Sequence, residues 1–300
     1  MVTALAIGAA AATAVLVLGS DREPEPTEAS AVLALLVGWA YVGSGLVAWR
    51  QRPENRLGPV MVFIGFAWFV TFLADSEAAL PFTIGTALED VYLLGFVYLI
   101  LTFPSGALRG RVERVLLACA LALTTVVELF WLLFADPQAV FCHGCPANEL
   151  QLVRNDALAE ALLQTQRVAG LALSLFTVAL FVARWRRASV PQRRIVAPVL
   201  WTGGAMFSAL ALSIVSGMLG EPLGPAPSWT RAFVFAAIPI AVLAVLLPRR
   251  LARGAVAGLV VELGASETAV DLREALGRAL GDPGLELAYW VPSRNGYVAG

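Results

Sequence analysis

The sequence contains no lysine and a single histidine, His143, and only 14% of its 300 residues are charged. A single histidine excludes zinc sites that need two histidine ligands. It also excludes a cytoplasmic Ser-His-Asp triad, because His143 lies in a loop that is predicted below to face the outer side of a membrane. Without lysine there is no lysine-bearing phosphate-binding loop. The net charge of −1 argues against a basic nucleic-acid-binding protein. We therefore expect no nucleic-acid partner and no cofactor, and no residue pattern indicates a catalytic site.

Hydrophobic residues are abundant, at 59% of the chain, and the mean hydropathy is +0.76. Soluble domains carry about 45–50% apolar residues, and a helix that crosses a membrane needs roughly 20 of them in sequence. The sequence predicts an all-α polytopic membrane bundle of about eight transmembrane helices, embedded in the lipid bilayer as its first partner. The stretches are 2–19, 30–49, 57–74, 82–103, 115–135, 161–183, 195–217 and 231–247. A cleaved signal peptide is the alternative for the first stretch, but it lacks the preceding basic residues.

The arginines are distributed unequally between alternate loops. Fourteen lie near 50–56, 104–114, 184–194 and 249–253, whereas the other loops hold eleven acids and only Arg22, Arg154 and Arg231. Positively charged loops stay on the cytoplasmic side of a membrane. The distribution predicts a multi-pass protein of the cell membrane with both termini in the cytoplasm.

The composition changes after the last apolar stretch. We expect a transmembrane bundle over 1–248, an amphipathic connector helix over 249–266, and a short cytoplasmic α/β tail over 267–300. Within the tail, a helix precedes a hairpin whose turn is indicated by Asn295-Gly296. A hairpin and one helix cannot bury the face of a sheet. The sequence therefore predicts either that a partner supplies strands or, as we favour, that the chain is the front part of a longer protein.

Five segments carry a resemblance to a known family: PENRLG at 53–58, LTFPSG at 101–106, CHGCP at 142–146, RRIVAPVLW at 193–201 and LREALGRALGDPGLELAYWVP at 272–292. Together they resemble the membrane input region of actinobacterial sensor histidine kinases, followed by an incomplete GAF-like start. The resemblance implies a signal-input module of a two-component system that acts as a homodimer with a missing or separate kinase module and a response regulator. No phosphoacceptor or ATP-binding residue of that family is present. A small-molecule transporter and a structural membrane protein without catalysis are the alternatives.

Four charged residues fall in the interior of the predicted spans: Glu89, Asp90, Glu128 and Arg167. An isolated charge in the bilayer costs about 2.5–3.5 kcal/mol on insertion scales, so partners are expected. We expect an ion pair between Arg167 and Glu128, with Gln164 as a neutral neighbour one helical turn away. These five residues predict an outward-facing polar pocket that binds a small ligand or senses protonation. A static ion pair, or charges at the membrane interface, is the alternative.

The predicted outer loop contains Cys142-His143-Gly144-Cys145. Exported cysteines normally pair, so a local disulfide is favoured, while a metal-binding or redox-sensing loop and free thiols are the alternatives. The sequence assigns no metal to these residues, because further ligands near them are weak. Cys119, in the fifth stretch, is expected to be a small buried filler.

Overall fold

The computed structural model describes residues 2–19, 28–108, 110–137, 145–220, 222–224, 226–246, 288–291 and 296–299. The chain divides into two compact units, Met1–Leu243 and Ala244–Gly300. The predicted connector helix over 249–266 and the first part of the predicted GAF-like segment lie outside the described residues.

The first unit is a bundle of helices. They are α1 (Val2–Leu18), α2 (Glu28–Gln51), α3 (Leu57–Thr71) with a 3-10 turn (Phe72–Asp75), α4 (Ala79–Ala87), α5 (Val91–Thr102), α6 (Arg111–Leu121), a π-helical segment (Ala122–Val127), α7 (Glu128–Phe134), α8 (Asp156–Arg187), α9 (Val190–Met218) and α10 (Ala226–Leu246).

Six helical stretches in the described part of the chain are long and apolar enough to cross a membrane, and this is consistent with a membrane protein. They are Glu28–Gln51, Leu57–Asp75, Ala79–Thr102, Arg111–Phe134, Asp156–Arg187 and Val196–Met218. The predicted count of eight is not supported. Helix α1 has 17 residues, and at a rise of 1.5 Å per residue it extends over about 25 Å, less than the roughly 30 Å of a hydrocarbon core. The last apolar stretch, Trp229–Val245, is also shorter than the six.

Helices α2 and α3 pack closely because glycines lie at their contact. A Cβ atom on Gly45 of α2 would come within 2.8 Å of the Val62 backbone nitrogen and 2.9 Å of the Gly58 carbonyl oxygen of α3. Small residues let helix backbones approach closely where lipid gives no hydrophobic drive for association. The pair forms part of the frame that holds the remaining helices.

Two of the six stretches are irregular. The stretch Ala79–Thr102 is broken by a turn at 88–90 between α4 and α5, and Arg111–Phe134 contains the π-helical segment. Threonine hydroxyls donate to carbonyls four residues earlier at both places: Thr86 Oγ1 to Phe82 O at 3.0 Å and Thr124 Oγ1 to Ala120 O at 3.0 Å. Such bonds bend helices. Both irregularities lie beside the cavity described below.

One end of the bundle, here called the arginine-rich end, carries the loops at 52–56, 103–110 and 188–189. Arg184 Nη2 lies 2.6 Å from Glu113 Oε1, which ties α8 to α6. Asn55 Nδ2 donates to Pro104 O at 3.3 Å, which ties two of the loops. The described arginines of the first three predicted groups therefore lie at or near this end, whereas Arg109 and the group at 249–253 lie outside the described residues.

The opposite end carries the segment 145–155, which is fixed by hydrogen bonds to α7 and α4. Asn148 Nδ2 donates to Leu132 O at 2.6 Å, and the Glu149 backbone N–H donates to Thr83 Oγ1 at 3.0 Å. The first bond satisfies a carbonyl in the last turn of α7.

Cys119 is exposed on α6, so its expected burial is wrong. Its neighbours Leu116 and Ala120 are the buried residues of this helix. Cys119 therefore lies on the face of α6 that is turned away from the bundle.

In the second unit, the described residues that follow the end of α10 form an antiparallel hairpin. Strand β1 (Ala288–Val291) pairs with β2 (Gly296–Ala299), and Tyr289 lies opposite Val298. The hairpin lies where Asn295-Gly296 indicates a turn, but two four-residue strands do not establish an α/β domain. The predicted α/β tail is not supported.

Candidate functional site

A cavity of about 530 Å³ lies inside the first unit, bounded by residues from the α3 terminus, the α4–α5 break, the π-helical segment and helices α8, α9 and α10. Its charged lining residues are Asp75, Glu89, Asp90, Glu128, Arg167 and Arg231. The four charged residues that sequence reasoning singled out therefore line one cavity.

Glu89 and Asp90 lie in the turn that separates α4 from α5. By solvent-accessible surface, Glu89 is exposed and Asp90 is half-buried. Protein atoms nevertheless surround both side chains, since their accessible surface lines the cavity. Neither carboxylate accepts a hydrogen bond from another described residue. Both groups are thus available to a solute in the cavity.

Glu128 begins α7, directly after the π-helical segment. Its Oε2 accepts a hydrogen bond from Gln166 Nε2 at 2.9 Å. The expected ion pair with Arg167 is wrong for the described structure, because no direct ion pair joins these two side chains. The carboxylate is instead held by a neutral amide donor.

Gln164 does not line the cavity, so the structure does not bring it together with the other four predicted pocket residues. Its Nε2 atom donates to Glu160 Oε1 on the same helix at 2.6 Å. The cavity face of α8 contains Leu163, Gln166, Arg167, Gly170, Leu173 and Ser174. At about 100° per residue, Gln164 points roughly 120° away from the middle of this face.

Arg231 was assigned to a loop by sequence reasoning, but it lies within α10 and lines the cavity. It interacts electrostatically with both Glu89 and Asp90, although it forms no direct ion pair with either in the described part of the chain. The signal for the earlier helix start is Pro227, since proline is favoured in the first helical turn.

Apolar side chains complete the wall. Phe82 and Phe207 line the cavity, and the Phe207 ring stacks on Phe96 with centroids 5.4 Å apart. Phe82 and Phe207 are both buried, at 5% and 3% exposed surface. The cavity therefore combines charged groups with an apolar surface, as small-molecule sites commonly do.

The cysteine loop is described only in part. Cys145 is buried and disulfide-bonded, whereas Cys142 and His143 lie outside the described residues. Among the residues that the structure describes, no three His, Cys, Asp or Glu side chains are placed to hold a metal ion.

Arg154 connects the segment that follows Cys145 to the end of α7. Its Nη1 lies 2.7 Å from Asp136 Oδ2, and its Nε lies 3.1 Å from Asp156 Oδ1. The hydrogen bond to Asp156 and the charges of both carboxylates raise the pKa of Arg154. The arginine thus remains charged and holds the chain beside Asp136, which precedes the cavity-lining residue Pro137.

No family model, no curated protein and no solved structure matches this chain. The cavity and the sequence pattern are therefore what bears on its function.

Proposed function

We propose that the chain is the membrane-embedded signal-input part of a two-component sensor histidine kinase, and that its cavity receives the stimulus. The phosphoacceptor and ATP-binding parts lie in a longer chain or a separate protein. The arginine-rich end faces the cytoplasm, the cavity lies toward the opposite side, and both termini are cytoplasmic. The working unit is a homodimer that passes its signal to a response regulator.

The observation that carries this proposal is the position of Arg231. It belongs to α10, the helix that precedes the C-terminal segment, and it faces the cavity that contains Glu89 and Asp90. A solute or proton that changes the charge in the cavity changes the force on Arg231. This force acts on α10, the helix that precedes the C-terminal segment.

Charge coupling inside a protein reaches the size that a switch needs. In general, two unit charges about 8 Å apart interact by about 2 kcal/mol at an effective dielectric constant of about 20. Because about 1.4 kcal/mol is a factor of ten in an equilibrium constant, neutralising one partner changes a two-state equilibrium by up to roughly 30-fold.

The experiment has two parts. First, the coding sequence beyond residue 300 and the adjacent genes are read for a phosphoacceptor histidine and an ATP-binding domain. Second, membranes that contain the complete system are incubated with labelled ATP, and phosphoryl transfer to the regulator is measured for the wild type and for Arg231→Leu.

We expect Arg231→Leu to change the phosphoryl level severalfold or more. The control is Phe233→Ala on the same helix, because Phe233 is 60% exposed and does not line the cavity. The absence of a kinase region both downstream and nearby would contradict the proposal, as would an unchanged phosphoryl level in Arg231→Leu.

A transporter is the second candidate, and the broken α4–α5 stretch favours it. Transporters often bind their substrates at interrupted helices within the membrane. The test is proton flux into proteoliposomes that contain an entrapped pH-sensitive dye. A steady flux that Asp90→Asn abolishes would favour transport over signal input.

A further inference from the structure

The charge balance of the cavity restricts what it can bind. Apart from Asp75, which interacts elsewhere, three carboxylates and two guanidinium groups line it, which is a formal excess of one negative charge. Like charges in a site of low polarity repel each other strongly. Either a proton or a solute that carries positive charge relieves this repulsion.

The unmet hydrogen-bonding capacity supports the same conclusion. The Glu89 and Asp90 side chains have no donor among the described residues, and Glu128 has only the Gln166 amide and no cationic partner. Ionised carboxylates are acceptors only, with about four lone-pair sites each. The cavity therefore presents acceptors that require N–H or O–H donors.

A metal ion does not fit this arrangement. The carboxylates are near enough to interact electrostatically, since Glu89 interacts with both Asp90 and Glu128. However, no group of three acidic, histidine or cysteine side chains in the described residues is close enough to hold a metal ion. Acceptors spread in this way suit a larger cation with several N–H groups.

The size and wall of the cavity define the rest of the solute. A cavity of about 530 Å³ is within the range of small-molecule sites. Phe82, Leu93 and Phe207 supply apolar surface for a short hydrocarbon portion.

We propose that the cavity binds a small organic cation whose ammonium groups donate to Glu89, Asp90 and Glu128 and whose hydrocarbon chain lies against Phe82 and Phe207. The inference deepens the proposed input function, because it names the chemical class of the stimulus. A free amine and the headgroup of an aminolipid share this chemistry.

The experiment measures binding of radiolabelled 1,4-diaminobutane to the full chain in nanodiscs of phosphatidylglycerol. We expect saturable binding that unlabelled diamine displaces and that 1,4-butanediol and glutarate do not. We expect Asp90→Asn and Glu89→Gln to weaken binding at least tenfold. Nanodiscs that also contain phosphatidylethanolamine distinguish the sources, because loss of diamine binding there assigns the site to a lipid headgroup.

Two further variants separate a specific site from general attraction. Glu160→Gln removes the same charge from α8 outside the cavity and is expected to bind like the wild type. Gly170→Val keeps every charge but places a larger side chain in the cavity wall, and it is expected to reduce binding. Because it leaves the carboxylates intact, it tests the cavity itself even if a carboxylate variant fails to fold.

The proposal is overturned if the diamine does not bind, if glutarate or Mg²⁺ alone displaces it, or if Glu160→Gln weakens binding as much as Asp90→Asn does. The assay contains no kinase, so it fails independently of the input function. If the diamine does not bind but Arg231→Leu still changes phosphoryl transfer, the ligand class is wrong and the input function stands. If the diamine binds and Arg231→Leu leaves phosphoryl transfer unchanged, the ligand class stands and the input function is wrong.

Discussion

At the scale of single residues, the hydrogen bond that Gln166 donates to Glu128 gives the most direct test. The bond measures 2.9 Å and is partly buried. Gln166→Leu leaves the carboxylate without a donor from the described residues. A buried acceptor that loses its partner costs about 1–3 kcal/mol. We expect the apparent free energy of unfolding in mixed micelles to fall by about that amount.

Gln164→Leu is the matched control for this prediction. It removes the same group from the same helix, but the lost bond is to Glu160 on an exposed face. We expect its free energy of unfolding to stay within about 0.5 kcal/mol of the wild type, as for surface substitutions in general. Equal losses in the two variants would show that the bond to Glu128 has no special weight.

The same two glutamines show how far sequence reasoning extends at this scale. The cost of a charge in a membrane was sufficient to select Glu89, Asp90, Glu128 and Arg167, all of which line the cavity. It could not orient a neutral residue. Gly170 and Ser174 lie on the same side of α8 as Gln166. This pattern would have excluded Gln164 from the cavity face.

At the scale of the helix, the fit between α2 and α3 makes a sharp prediction, because two of the three glycines of α2 have different surroundings. A Cβ atom on Gly43 would meet nothing within 4 Å, whereas one on Gly45 would meet the backbone of α3. Gly45→Ala must push the helices apart, and overpacking costs about 1–3 kcal/mol. We expect the thermal midpoint in detergent to fall accordingly.

Gly43→Ala, two residues earlier, gains helix propensity without a clash. Alanine is favoured over glycine by about 0.5–1 kcal/mol in a helix interior. We expect an unchanged or raised thermal midpoint for this variant. If both alanines lowered the midpoint equally, the close approach of α2 and α3 would not be what Gly45 provides.

The irregular helices mark the limit of sequence reasoning for elements. Hydropathy indicated apolar stretches near 82–103 and 115–135, and Glu89 and Asp90 interrupt the first of them, but neither the backbone turn between α4 and α5 nor the π-helical segment was predicted. A π-helical turn contains an extra residue, so the side chains after it are rotated by about 100° from a continuous α-helix. The direction of Glu128 therefore depends on a local distortion that apolar periodicity does not reveal.

At the scale of the whole molecule, composition was sufficient to predict a helical membrane bundle, because a membrane is the stable surrounding for long apolar stretches with few charges. Composition was not sufficient to predict the number of membrane-spanning helices. The charge alternation that favoured eight does not measure length, and α1 with 17 residues is shorter than a hydrocarbon core requires.

The sidedness of the bundle is the prediction on which the location of the cavity depends. Leu152 is 75% exposed in the segment 145–155, and Ala107 is exposed in a loop of the arginine-rich end. We consider Leu152→Cys and Ala107→Cys, each combined with Cys119→Ala and studied without reductant, because Cys145 is already disulfide-bonded. Since arginine-rich loops stay in the cytoplasm, we expect an impermeant maleimide to label Leu152→Cys in intact cells. Ala107→Cys should be labelled only after the cells are permeabilised. The reverse pattern would place the cavity toward the cytoplasm, and a stimulus from outside would then have no route to Asp90 and Arg231.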